Sequence, residues 1–87
     1  MKVELLNKSE KLKKLNKEEL FLYIILCTAQ HFDINFISIK NIKEIYSRVH
    51  IKNITLKFLK NSLLKLIDLH LINKEIIKIT SRGIYLK

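Results

Sequence analysis

Apolar side chains fall along this chain in two rhythms, a three- to four-residue spacing that holds to about residue 70 and short β-rich runs after it. Residues 1–16 place Leu5, Leu6, Leu12 and Leu15 among many charges, one thin apolar stripe on a peripheral or linker helix. Asn16 or Lys17 opens the next helix, where the acidic pair Glu18-Glu19 suits the positive end of a helix dipole. Leu20, Phe21, Ile24, Ile25, Cys27 and Thr28 are apolar nearly all round, which predicts a central core helix ending near His31.

Phe32-Asp33-Ile34-Asn35 breaks that run, and Phe36-Ile37-Ser38-Ile39 alternates like a short strand. Asn41 is the expected cap of a third helix carrying Ile42, Ile45, Tyr46 and Val49. His50 to Ile54 makes a brief connection, and Thr55 caps a longer helix reaching His70. Leu56, Leu59, Leu63, Leu66, Ile67 and His70 share one side of it; Lys57, Lys60, Asn61, Leu64 and Asp68 share the other. Leu71-Ile72-Asn73 and the run from Glu75 to Thr80 read as β, Ser81-Arg82-Gly83 as a turn, and Ile84-Tyr85-Leu86 as a returning strand. The predicted class is therefore α+β and mainly helical. Its order is that of a winged helix-turn-helix: three core helices, an N-terminal helix at 1–16 serving as linker or dimerisation element, and a β-hairpin wing closing the 17–87 domain.

Length sets the limits on this picture. At 87 residues the chain holds one domain, and a composition 48% hydrophobic and 29% charged is too apolar for disorder and too charged for a membrane span. The longest apolar stretch, Leu20 to Ala29, is half of the roughly 20 residues a bilayer crossing needs. Cys27 stands alone, so neither a disulfide framework nor a zinc site is expected, and Met1-Lys2-Val3-Glu4 does not open a signal peptide. A reducing, cytoplasmic setting is the expectation.

Charge narrows the function. Seventeen Lys and Arg against 8 acids give +9, a field that attracts polyanions: nucleic acid first, anionic lipid second, acidic protein third. Fifteen of the 17 are Lys and the chain is rich in Ile and Asn, the mark of an A/T-rich coding sequence, so placement carries more weight than the total. Residues 40–65 hold seven cations against Glu44 alone, a net +6 in the helix-turn-helix itself. In that motif the second helix enters the major groove and its first turns reach base edges. Lys57 and Asn61, one turn apart, with Lys60 beside them, are the candidate base readers, because Asn pairs bidentately with adenine and Lys reaches guanine. Lys40, Lys43, Lys52 and Thr55 are placed to hold phosphates. The wing adds Lys74, Lys78 and Arg82, the last at the tip, where a guanidinium suits a narrow A/T minor groove. A single outward Lys is ordinarily just solvated; the cluster carries the argument.

Catalytic chemistry is not expected. His31, His50 and His70 lack matching ligands at metal-binding intervals, Cys27 has no basic neighbour and reads as a buried inert thiol, and one glycine cannot make a phosphate loop. Phe21, Tyr23, Phe32, Phe36, Tyr46, Phe58 and Tyr85 occupy core-like positions, with the hydroxyls of Tyr23 and Tyr46 expected at the surface. No cofactor and no small-molecule substrate follow from these residues.

The runs Leu20 to Leu26, Ile42-Lys43-Glu44-Ile45-Tyr46, Ile54 to Leu59 and Leu63 to Ile72 together resemble the C-terminal winged-helix domain of archaeal replication initiators of the origin-recognition and cell-division-cycle type. More loosely, the pattern is similar to small archaeal and viral winged-helix regulators, in which a stretch like Thr80 to Gly83 recurs. The resemblance covers about residues 12–86 and implies double-stranded DNA binding through the helix from Thr55 and the wing near Arg82. The wing is shorter than the family's, and the family's ATPase module is not in this sequence. The competing function is a protein-interaction module: Leu5, Leu6, Leu12, Leu15 and Leu64 make a candidate homodimer or partner face. A membrane-surface binder would need more apolar area than 1–16 supplies.

Overall fold

The computed structural model describes residues 10–87, so Leu5, Leu6 and most of the 1–16 helix lie outside the described residues. Residues 10–12 form a helical turn, and Leu12 and Leu15 pack against the core. The order that follows is α1 (Lys17–His31), β1 (Phe36–Ser38), α2 (Ile39–Arg48), α3 (Leu56–Asp68), a 3-10 turn (Lys74–Ile76), β2 (Ile77–Ile79) and β3 (Gly83–Leu86). The architecture is α+β: helices against one three-stranded antiparallel sheet of order β1-β3-β2. Among the described residues no helix is long and apolar enough to cross a membrane.

Each helix starts on a side-chain cap. Asn16 and Glu19 form a capping box, the Asn16 side chain accepting from the Glu19 amide at 2.8 Å and the Glu19 carboxylate from the Asn16 amide at 2.9 Å. Thr55 caps α3 as expected, accepting from Phe58 N–H at 3.1 Å. The cap of α2 differs from expectation. Ser38, the last residue of β1, fills it, and Asn41 instead donates its amide to the Ser38 hydroxyl. The chain leaves extended geometry at Ser38, so the first orphan amides face that side chain.

All three helices end the same way, without glycine. Asp33, His50 and His70 adopt left-handed backbone at φ of 56°, 62° and 58°, one residue past the C-caps Phe32, Val49 and Leu69. Their amides donate to Gln30, Ser47 and Ile67, and the next amides, of Ile34, Ile51 and Leu71, reach back to Ala29, Tyr46 and Leu66. This double bond pattern is the Schellman motif, which normally recruits Gly. It stops α3 at Asp68, short of the expected His70.

The core collects Leu22, Leu26, Ile42, Tyr46, Leu59, Leu66 and Ile84, with Ser62 the one buried polar residue among those described. Each fully buried Leu or Ile contributes about 1.5–3 kcal/mol. Tyr46 is central. Its ring meets Phe21 of α1 edge-on at 5.0 Å and Phe58 of α3 at 6.4 Å, and its hydroxyl donates to the Glu18 carbonyl at 2.7 Å. The expectation of a surface hydroxyl at Tyr46 is corrected here, since that residue is fully buried.

Three other expectations change. α1 is apolar all round in sequence but buries only one side, leaving Ile24, Cys27 and Thr28 in solvent; Cys27 is an exposed thiol. Phe32, Phe36 and Tyr85 are exposed, because Phe36 and Tyr85 pair across the outer face of the sheet and Phe32 lies on the helix end. Leu71–Asn73 forms no strand, and the β run begins only at Ile77, after the 3-10 turn capped by Asn73. The Schellman bonds at 70–71 occupy the amides that a strand there would have paired.

Candidate nucleic-acid interface

Helix α2, the connection 49–55 and α3 carry most of the candidate residues. Ile54 is buried and anchors the connection, which passes through left-handed backbone at His50 and again at Asn53, φ 65°. Asn tolerates that region better than other side-chain-bearing residues. Thr55 is exposed, with its oxygen accepting the capping bond.

The ion pairs sort the cations. Lys65 Nζ lies 2.8 Å from Glu19 Oε1, tying α3 to α1, and Arg48 is 3.5 Å from Glu44 on an exposed i, i+4 step of α2. Lys65 and Arg48 therefore leave the +6 cluster. Lys40, Lys43, Lys52, Lys57 and Lys60 are exposed and pair with no described acid. The Glu19 carboxyl is pushed up by its burial, but the Lys65 ammonium and the Asn16 amide outweigh that and hold it below the usual carboxylate range.

On α3 the exposed residues Lys57, Lys60, Asn61, Leu64 and Asp68 form one stripe. The opposite side packs through Leu59, Ser62, Leu63 and Leu66. Leu64 is 59% exposed, a large apolar group in the middle of that polar stripe. Ile77 and Ile79 of β2 line a cleft with Lys60, Leu63, Leu64 and Ile67, so the hairpin flanks this side of α3.

Arg82 is exposed at the hairpin tip, where Thr80 and Gly83 exchange backbone hydrogen bonds across Ser81-Arg82. Its carbonyl accepts from Ile39 N–H at 2.9 Å, which sets the tip against the first turn of α2, next to Lys40. Gly83 was expected to serve the turn. Its φ is not left-handed; it is needed because a Cβ there would stand 2.2 Å from the Ile37 carbonyl oxygen and 2.9 Å from Phe36. Lys78 lies apart from the others, on the outer face of the sheet in register with Tyr85. The structure thus gathers Lys57, Lys60 and Asn61 on one stripe, joins the backbone of Arg82 to the start of α2, and leaves Lys78 on another face.

The exposed Leu64 was assigned to the outward side in sequence, but to a partner face. The Lys65–Glu19 pair, 46 residues apart, has no signal in a single sequence. His31, His50 and His70 end three different helices, and among the described residues no three His, Cys, Asp or Glu side chains gather as a metal site would need. Comparison of the chain with protein-family models, curated proteins and solved structures finds no match in any of the three.

Proposed function

We propose that this chain is a winged helix-turn-helix that binds double-stranded DNA, as a transcription regulator or as the DNA-binding part of a replication initiator. The helix, strand, helix, helix, hairpin order supports that fold, with α2 and α3 as the motif and the β2–β3 hairpin as a short wing. One observation carries the function: the acids in reach take Lys65 and Arg48, while Lys40, Lys43, Lys52, Lys57 and Lys60 stay exposed with no acidic partner among the described residues. Five exposed ammonium groups on one motif make a local positive field that attracts a polyanion. A duplex supplies that anion at regular spacing.

In this reading Lys57, Lys60 and Asn61 at the amino end of α3 face base edges, and Lys40, Lys43, Lys52 and Thr55 hold backbone phosphates. Arg82 reaches the neighbouring minor groove from a tip hydrogen-bonded to α2. Lys78 contributes charge only at longer range. The reading makes the protein a binding domain and not an enzyme. A salt titration tests it: with about six phosphates neutralised, log affinity falls against log salt at a slope of roughly −5. A slope near zero, or no duplex binding at low salt, rejects it.

The second reading, a protein-interaction module, draws on different residues. Ile24, Phe32, Ile34, Phe36 and Tyr85 are large and exposed, and Phe36 and Tyr85 stack at 4.7 Å on the outer sheet face. Loss of self-association on Phe36→Ser with duplex binding intact would assign that face to a partner.

A further inference from the structure

Leu64 is the one large apolar residue on the proposed DNA face, at the rim of the cleft that it lines with Lys60, Leu63, Ile67, Ile77 and Ile79. It is 59% exposed, yet it stands inside a stripe whose other members are Lys57, Lys60, Asn61 and Asp68. A helix returns to nearly the same azimuth after seven residues, drifting about 20°. Leu64, seven after Lys57, therefore shares nearly the same azimuth as Lys57. Lys57, Lys60, Asn61 and Leu64 follow the i, i+3, i+4, i+7 spacing with which a helix lying in a major groove turns four side chains to the base edges. Asp68, one turn further, is an exposed acid, and phosphates repel it. The contact zone thus ends at Leu64.

We infer that Leu64 is a specificity-determining residue that packs on the 5-methyl group of a thymine. The inference rests on the DNA-binding reading above and adds what the helix selects. In the major groove the thymine methyl is the one apolar feature of the four base pairs, so an aliphatic side chain delivered there has a single matching partner. Asn61 sets the register. It pairs with adenine, and Leu64 lies three residues on, about 4.5 Å along the helix, close to the roughly 3.4 Å step between base pairs. An adenine read by Asn61 followed by a thymine methyl under Leu64 makes an A/T step the preferred site. Leu64 has no such role toward G·C pairs, which carry no methyl.

Deoxyuridine isolates the methyl, since it keeps every hydrogen-bonding group of thymidine. The experiment measures affinity of the full chain for an alternating A–T duplex and for the same duplex with deoxyuridine replacing thymidine, beside the Leu64→Ala variant. Burial of one methyl-sized group corresponds to about a fourfold change. Expected is an approximately fourfold weaker uridine complex for the unaltered protein and no difference between duplexes for Leu64→Ala. Because Leu64 is exposed, that variant keeps its thermal midpoint, which circular dichroism checks. Equal affinity of the unaltered protein for both duplexes, with a normal salt slope, overturns the inference and leaves DNA binding standing. An equal loss in both proteins also overturns it, by assigning the methyl effect to duplex shape or another residue. Failure to bind either duplex overturns the DNA-binding reading itself, and the inference with it.

Discussion

The ammonium of Lys65 and the carboxylate of Glu19 meet at 2.8 Å, joining the third turn of α3 to the capping turn of α1. Glu19 serves two partners at once, the Asn16 amide and Lys65, and is mostly buried while Lys65 is partly exposed. Its folded carboxyl titrates lower than an unfolded one, so the stabilisation is present above the unfolded value of about 4.3 and is lost as pH falls through the folded value. Glu19→Gln is expected to cost about 1 kcal/mol at neutral pH and to flatten the acid limb of a urea-midpoint series. The same variant retains duplex binding, because Lys65 is not on the proposed interface.

Tyr46 has the opposite pH signature. Burial, then the charges of Glu18 and Glu19, raise its hydroxyl above the ordinary tyrosine value. A raised folded value gives stability that is intact below the unfolded value of about 10 and declines as pH climbs beyond it. Tyr46→Phe removes the bond to the Glu18 carbonyl and is expected to cost about 1 kcal/mol, lowering the thermal midpoint by roughly 4–8 °C. The variant should also lose less stability than the parent between neutral and strongly alkaline pH.

At the three helix ends, left-handed Asp33, His50 and His70 each carry a Cβ where glycine is favoured. Left-handed geometry costs a side-chain-bearing residue about 1–2 kcal/mol, and glycine's extra unfolded entropy returns about 0.5–1 of that. His50→Gly and His70→Gly are each expected to stabilise by about 0.5–1 kcal/mol, measured by urea unfolding. Reduced stability in both would reject this account of the helix ends.

Gly83 is expected to be the least replaceable of the hairpin residues. A Cβ 2.2 Å from the Ile37 carbonyl forces β1 and β3 apart, so Gly83→Ala should cost at least about 2 kcal/mol. Ser81→Ala, at the exposed tip, should change stability little.

Within the α3 stripe the two candidate readers should fail differently. Lys57→Ala is expected to weaken duplex binding most on sites with guanine and to relax base preference there. Asn61→Ala should cost about 1–3 kcal/mol on sites with adenine and relax base preference. Competition binding on A/T and G·C duplexes separates the two.

Periodicity and capping chemistry made the helices legible: α1 ends at His31, Thr55 caps α3, and the apolar side of α3 is the side that packs. The strand at Phe36 and the return at Ile84 were legible from alternation. What could not be read was long-range. Nothing local in Lys65 announces Glu19, nothing in Cys27 announces that its side of α1 faces solvent, and Gly83 looks like a turn glycine until β1 is laid beside it. The cationic cluster was readable as a total, but its membership was not, because ion pairing depends on which acids the fold brings near.

The hydrogen bond from the Ile39 amide to the Arg82 carbonyl, with β3 clasped on both sides by β1 and β2, makes the hairpin a fixed jaw instead of a swinging arm. On the proposed DNA-binding reading, the surface that would meet the duplex is already in place, so the protein would surrender little motional freedom in gripping it.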